Sequence, residues 1–428
     1  MVNEKDAFLN REPFVLHEGV SGKDAKNVGR LHFLQRRTDF HPLTEDEHCY
    51  DAMAQSIVKG RGFTTDFVWV ITTPGRPAMY GGCAYPLFAA GIYSVFGTGL
   101  ELPVFFVQIA LQAVALWFVF QAALTLGGRV AASVSAAFFV FHPVLVWLSL
   151  AMLTEALLVP CVAALLWIIV CRVMTTRMAI FTGGLLGLMA LTRSTMAALV
   201  WVTIAWIIWR RRSAWRQGIT IGIIFVVVCA PWTIRNYVHW HRFIPFSTKS
   251  GVNAWFFNHP GLKVEFGRRA VEGPQPVDIF DPQIQSLPDE AARNARLMKM
   301  FKEFVREHPA KFLGLCWMRF WMAILPARIT STSTTALVAA WYAKGIPLVI
   351  GCLAGIFGLK RLRDTKAPIA AVFLLLVVGY WQAIQTLAGP GLRYRLPVEP
   401  AWAVLVGIAV AWLLDMLRER RRPVNQPP

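Results

Sequence analysis

PVFFVQIALQAVALWFVFQAALTL, Pro103 to Leu126, contains no charged side chain. As a helix this run reaches roughly 36 Å at ~1.5 Å per residue, more than the ~30 Å hydrocarbon core of a bilayer. Further apolar runs of comparable kind lie at Val130 to Leu150, Leu153 to Cys171, Ile219 to Trp232, Leu337 to Phe357, Ile369 to Gln385 and Val398 to Leu414. None shows the ten-residue alternation of a membrane β-barrel strand. The chain therefore reads as all-α, a polytopic helical membrane protein. Composition agrees. Only 16% of the 428 residues are charged and the mean hydropathy is +0.48, whereas a soluble domain is about a quarter charged.

The formal net charge of +18 resides mostly in loop lysines and arginines. No zinc finger, RNP-type motif or basic DNA-reading helix is present, so no nucleic-acid partner is expected. Of seven cysteines, only Cys49 and Cys83 share a polar region. Two unpaired small residues are favoured there over a disulfide. The first 43 residues are polar, with no signal peptide and no anchor.

Loop charge sets the orientation, because lysine and arginine concentrate on the cytoplasmic side of short loops. WRRRSAWR (Trp209 to Arg216), LKRLRDTK (Leu359 to Lys366) and LRERRR (Leu417 to Arg422) are placed inside, with the weaker CRVMTTR (Cys171 to Arg177). The predicted organisation is then a polar segment at 1–43, a first extracytoplasmic loop with juxtamembrane helices at 44–102, and membrane helices at 103–233. A large extracytoplasmic loop follows at 234–333, then membrane helices at 334–417 and a basic tail at 418–428. Two details follow. Ala179 to Trp209 is too short for two full spans and reads as a hairpin whose tip, LTRST, stops within the membrane, so that Arg193 must face protein or water. Lys311 to Pro326 is apolar, but counting it as a span would put Leu359 to Lys366 outside. It reads as a helix lying on the outer surface.

The least membrane-like stretch is HPLTEDEHCYDAMAQSIVKGRGF, His41 to Phe63, with four carboxylates in Glu45, Asp46, Glu47 and Asp51. Thr44 and Glu47 fit a capping box. Tyr50, Met53, Ala54, Ile57 and Val58 form a stripe at helical spacing, and Gly60 and Gly62 end it. This predicts an amphipathic helix on the membrane surface. Locally, the acids are either a cap with solvated charge or a catalytic cluster.

The spacing Asp46-Glu47-x-x-Tyr50-x-x-x-Ala54, then Gly60-x-Gly62-Phe63 and Tyr85-Pro86-Leu87, resembles the first external loop of GT-C glycosyltransferases. The likeness is to the bacterial branch related to protein O-mannosyltransferases and the lipid A aminoarabinose transferase. LTEALL (Leu153 to Leu158), GGLLGLMALTRSTMAAL (Gly183 to Leu199), PWTIRNYVHWHRFIPFSTKSGVNAWFFNHP (Pro231 to Pro260), FVREHPAKFLGL (Phe304 to Leu315) and RYRLPVEP (Arg393 to Pro400) follow in register. Family members begin with a membrane helix directly before the acidic loop. Here a polar stretch stands instead, so an apolar run is expected in the reading frame upstream of Met1.

The resemblance implies a GT-C-like architecture and an enzyme of the inner (plasma) membrane with its active site facing outside. It would transfer a sugar, with inversion, from a polyprenyl-phosphate-linked donor to a glycan, lipid or protein acceptor. Such chemistry needs a base for the acceptor hydroxyl and cations for the phosphate. The family pattern assigns Asp46 as general base, with Glu47 positioning it or the acceptor besides capping the helix. Arg193, Arg393 and Arg395 are the donor-phosphate candidates. In an extended segment Arg393 and Arg395 would face one phosphate together. Arg395 is favoured as nearer the helix at Val398, and Arg193 is alternatively a structural partner of Glu155. Tyr50, Tyr85, Arg235, Asn236, Ser247, Thr248, Asn253, Asn258 and Tyr394 are candidates for sugar or acceptor contact, the alternative for the loop residues being turns and caps. No cofactor is called for. His239 and His241 raise the question of a divalent metal but read better as interfacial residues. A lipid-linked-sugar flippase, or an inactive relative serving as a scaffold, are the competing functions.

Overall fold

The computed structural model describes residues 45–66, 71–79, 81–262, 281–325, 338, 341–350, 368–389 and 392–420. These fall in one compact unit, Glu45–Pro428. The polar N-terminal segment, and with it the Thr44 half of the capping box, lies outside the described residues.

The chain is an all-α, polytopic membrane protein. Among the described residues no strand forms, and an isolated bridge between Thr64 and Pro77 is the sole β pairing. The first loop carries α1 (Glu45–Val58) and α2 (Ala84–Phe96). The apolar middle carries α3 (Glu101–Val140), α4 (Pro143–Leu148), α5 (Glu155–Cys171), α6 (Thr176–Thr192), α7 (Leu199–Arg210) and α8 (Trp215–Trp240). The large loop carries α9 (Lys249–Phe256), α10 (Pro282–Gln285), α11 (Glu290–Glu307) and α12 (Pro309–Ile324). The C-terminal part carries α13 (Pro368–Ala388), α14 (Leu392–Arg395) and α15 (Glu399–Arg420).

Among the described residues, three helical stretches are long and apolar enough to cross a membrane: Glu101–Val140, Arg212–Trp240 and Arg393–Arg418. The first joins two expected runs. Gly128, at φ 74° and ψ −168°, breaks the helical path inside α3 where a second run was expected to begin. That second run also divides, because His142 starts α4 by accepting the Leu145 N–H at its Nδ1. The Ala179 to Trp209 hairpin forms as two helices, α6 and α7, of 17 and 12 residues, joined by a 3-10 turn at Ser194–Met196. Of the expected span Leu337 to Phe357, only 338 and 341–350 are described.

Apolar side chains of α3, α5 and α15 build the main core, including Ala115, Val119, Leu158, Val162, Ala403 and Val404. Helices α6 and α8 meet through small residues. A Cβ at Gly183 would stand 2.7 Å from the Ile221 carbonyl oxygen, and one at Gly187 would stand 2.7 Å from Val228. With no water between lipid-embedded helices to drive association, such close backbone approach supplies the packing energy.

A second core holds the first and the large loop together: Cys49, Met53, Ile71 and Ala78 from the first loop pack with Val252, Trp255, Leu297, Phe304, Leu315 and Met318. Helix α1 is shared between the two cores, since Tyr50 and Ala54 belong to the first and Cys49 and Met53 to the second. This corrects the reading of α1 as a helix lying on the membrane surface, and of the two readings for its acids it removes solvated charge. Asp46 and Glu47 are buried. Asp51 accepts hydrogen bonds from the Tyr93 hydroxyl at 2.6 Å and the Gln55 amide at 2.9 Å. Two layers of apolar side chain take up two sides of α1, with His48 left exposed. Cys49 and Cys83 are both unpaired thiols.

Candidate functional site

Asp46 sits in the first turn of α1, where the helix dipole favours a carboxylate. One oxygen meets Lys249 Nζ at 2.8 Å and the other meets Arg393 Nη2 at 2.8 Å. Arg393 also donates from Nε to Glu155 Oε1 at 3.2 Å. The same Glu155 oxygen receives Arg193 Nη1 at 2.5 Å. Five side chains thus form one line of alternating charge, Lys249–Asp46–Arg393–Glu155–Arg193, with three cations against two carboxylates. They come from five places in the chain: α9, α1, α14, the first residue of α5 and the cap of α6. The Tyr394 ring lies beside both arginines, 4.8 Å from the Arg193 guanidinium and 5.8 Å from that of Arg393. Thr154 donates to the remaining oxygen of Glu155 at 3.0 Å.

Burial alone would push the Asp46 carboxyl up. Lys249 and Arg393 outweigh it and hold the group well below the usual carboxylate range. Glu47, on the same turn, accepts the backbone N–H of Met152 at 3.0 Å. It fastens α1 to the segment leading into α5, which carries Glu155.

The structure brings together Asp46, Arg393 and Arg193 as expected, with Tyr50 and Tyr394 against them. Tyr50 is buried and close enough to feel the charges of Asp46, Arg393, Glu155 and Arg193. Lys249 escaped sequence reasoning. It is the first residue of α9, a position where the helix dipole disfavours a cation. A lysine opening a helix was the available signal.

Arg395 does not join this line. The segment expected to be extended is a helical turn, Leu392–Arg395, and Pro397 occupies the start of the 3-10 turn after it. A proline is accommodated at a helix start. In helical chain, residues two apart diverge by about 200°. Arg395 instead donates from Nε to Glu399 Oε1 at 2.7 Å and lies 4.8 Å over the Trp402 ring. Its Nη2 has no partner, and it lines a cavity of about 280 Å³ with Lys344, Gln382 and Gln385. His142 Nε2 stands 3.5 Å from the other oxygen of Glu399.

Several sugar-contact candidates have polar atoms engaged by protein groups. The Tyr85 hydroxyl donates to Gln108 at 2.7 Å. Arg235 donates to the Ala78 carbonyl and to Asn236, amid the rings of Phe63, Trp232 and Trp240. The Asn236 amide donates to the Ile244 carbonyl at 2.9 Å. Asn258 donates to the Ala254 carbonyl and accepts from Arg319. Thr248 donates to Glu290. The loop must close on itself, and these groups hold it. Ser247 and Asn253 are half-buried beside them. Among the described residues, no three His, Cys, Asp or Glu side chains are placed to hold a metal ion.

Residues 82–234 match the family described as dolichyl-phosphate-mannose-protein mannosyltransferase. That stretch, 153 of the 428 residues, is similar to the GT-C mannosyltransferase family. Glu155 and Arg193 lie inside the matched stretch; Asp46, Lys249 and Arg393 lie outside it. Among solved structures, the chain is similar to ArnT from Cupriavidus metallidurans bound to undecaprenyl phosphate, at 13% identity and a TM-score of 0.40, covering 95% of this chain and 82% of that one. The apo structure of the same protein gives 13% identity, a TM-score of 0.39, and 94% and 82% coverage. No curated protein matches.

Proposed function

We propose that this chain is a membrane glycosyltransferase that takes a sugar from a polyprenyl-phosphate-linked donor and passes it to a glycan, lipid or protein acceptor. The reaction runs on the extracytoplasmic face of the inner membrane, in the space between the first loop (44–102) and the large loop (234–333). The observation that carries the reading is Asp46 held between Lys249 and Arg393.

That arrangement suits an exchange of anions. A carboxylate gripped by two cations is a poor base, because its proton affinity is depressed. A donor phosphate placed against Arg393 and Lys249 competes with Asp46 for the same N–H donors. The guanidinium fork of Arg393 can take two phosphate oxygens at once. Asp46, released from one or both cations, regains basicity beside the bound donor. The acceptor hydroxyl then attacks the anomeric carbon, its proton passes to Asp46, and the bond from anomeric carbon to phosphate oxygen breaks with its electrons left on the phosphate. Direct displacement inverts the anomeric centre. Charge grows on the phosphate as the sugar leaves, so Arg393 and Lys249 bind the transition state more tightly than the donor. Glu155 and Arg193 position Arg393, and Glu47 positions the turn that carries Asp46.

The test is release of polyprenyl phosphate by the purified protein from a panel of polyprenyl-phosphate sugars, measured with and without acceptor. Acceptor-dependent release that disappears in Asp46→Asn supports the reading. Donor binding without release in the unaltered protein would leave a scaffold. Movement of the intact donor across a liposome membrane would indicate a flippase.

A further inference from the structure

At the helix ends opposite the Arg193 tip, α5 stops at Cys171 and α7 stops at Arg210, and a cavity of about 380 Å³ opens between them and the start of α8. Helix α6, with its 17 residues, separates this end from Arg193 by roughly 25 Å at ~1.5 Å per residue. The cavity is therefore distinct from the Asp46 line. Arg172, Arg210 and Arg211 line it together with Trp206, Ile207 and Gln217.

Helix C-termini favour cations, which accounts for single arginines at the ends of α5 and α7. It does not account for three converging on one cavity. Among the described residues none of the three has a carboxylate partner. Arg172 rests on the Trp167 ring at 4.4 Å, which fixes its guanidinium in place. The Gln217 side-chain oxygen is buried on the cavity wall with no hydrogen-bond partner. Three guanidinium groups and an unmet polar atom call for an anion that also carries hydroxyl or other donor groups. Beside them the surface turns apolar: Val173, Trp209 and Trp215 are exposed, as befits side chains at the headgroup level of a bilayer.

We propose that this cavity binds the phosphodiester headgroup of an anionic phospholipid, its acyl chains lying along the Val173 and Trp209 surface. Basic pockets between membrane helices recognise such headgroups through guanidinium–phosphate contacts. The ligand is a bilayer lipid, not the sugar donor, and it would anchor the hairpin whose far tip presents Arg193.

Native mass spectrometry of the delipidated full chain in neutral detergent tests this, with phosphatidylglycerol, phosphatidylcholine and inorganic phosphate added separately. Phosphatidylglycerol should be retained about tenfold better than phosphatidylcholine. Arg172→Gln, Arg210→Gln and Arg211→Gln combined should abolish that preference, while Arg216→Gln, which does not line the cavity, should leave it intact. If the triple glutamine variant does not fold, the three Arg→Lys changes keep the charge and remove the fork, and should weaken retention severalfold. Equal retention of both lipids overturns the proposal, as does a preference surviving the triple variant. Saturation by inorganic phosphate alone, with no added effect of lipid, overturns it in favour of a soluble anion.

Discussion

Two carboxylates that meet the stretch Thr248–Lys249 are clamped by adjacent residues yet shift in opposite directions. Lys249 holds Asp46, and Thr248 holds Glu290. Both acids are buried. Asp46 faces two cations and stays ionised far below the usual range. Glu290 receives the Thr248 hydroxyl and the Met79 backbone N–H, at 3.3 and 3.4 Å from its two oxygens, and burial pushes it up to about 7. Burial is common to both, so the charge of the partners decides ionisation. The first arrangement keeps an anion poised among cations that another anion can claim. The second ties α11 to the first loop with hydrogen bonds that do not need a charge.

The sharpest way to break this comparison is Asp46→Asn. The amide keeps the shape of the side chain and removes the proton acceptor. Single-turnover transfer should fall by about 10² or more. Donor affinity should hold or tighten, because the carboxylate no longer competes for Arg393 and Lys249. Normal turnover in this variant would place the base elsewhere. Weakened donor binding would mean that Asp46 touches the donor directly and that the anion-exchange account is wrong.

A smaller effect separates the two arginines. Arg393→Lys should cost about tenfold in turnover and donor affinity, since an ammonium cannot grip two phosphate oxygens. Arg395→Lys should stay within about twofold for both, because Arg395 is tied to Glu399 and the Trp402 ring and does not touch Asp46. The reverse ranking would restore Arg395 as the phosphate ligand and assign the cavity beside Lys344 to the donor.

That pair also marks the limit of what the sequence revealed. The apolar runs and the hairpin were legible because lipid imposes length and composition directly. Asp46 was legible through resemblance, and Arg393 and Arg193 as arginines standing where a short outside loop and the membrane disfavour them. Glu155 was legible as the one carboxylate near Arg193. Lys249 was hidden because its significance lies in meeting Asp46, about two hundred residues away in the chain. The pairing of Arg395 with Arg393 on one side rested on local chain geometry: proline reads as forcing extended chain, while the segment uses it to begin a turn. Arg235, Asn236 and Asn258 stayed ambiguous because polar residues suited to sugar hydroxyls equally suit the carbonyls of a closed loop.

The smallest effect concerns Glu290, and its sign is opposite to that expected of Asp46. A carboxyl lowered in the folded state stabilises above its ordinary value of 3.8, and that contribution is lost only as pH falls through the folded value, so Asp46 adds no slope near neutrality. Glu290 is raised from 4.5 to about 7. Its contribution is fully present below 4.5 and is lost as pH rises through about 7, because the unfolded chain ionises more readily. Between pH 6 and 8 the protein should lose about 1 kcal/mol of stability from this group. Glu290→Gln retains an oxygen for Thr248 and Met79 and cannot ionise, so it should remove that slope. Thermal unfolding of both proteins in the same detergent, at steps across this range, isolates the difference from the titration of histidines. The variant should match the unaltered protein at pH 5 and exceed it at pH 8. Parallel curves would mean that Glu290 is ionised throughout, paired with Arg235 or Arg293 rather than neutral, and the contrast with Asp46 would collapse.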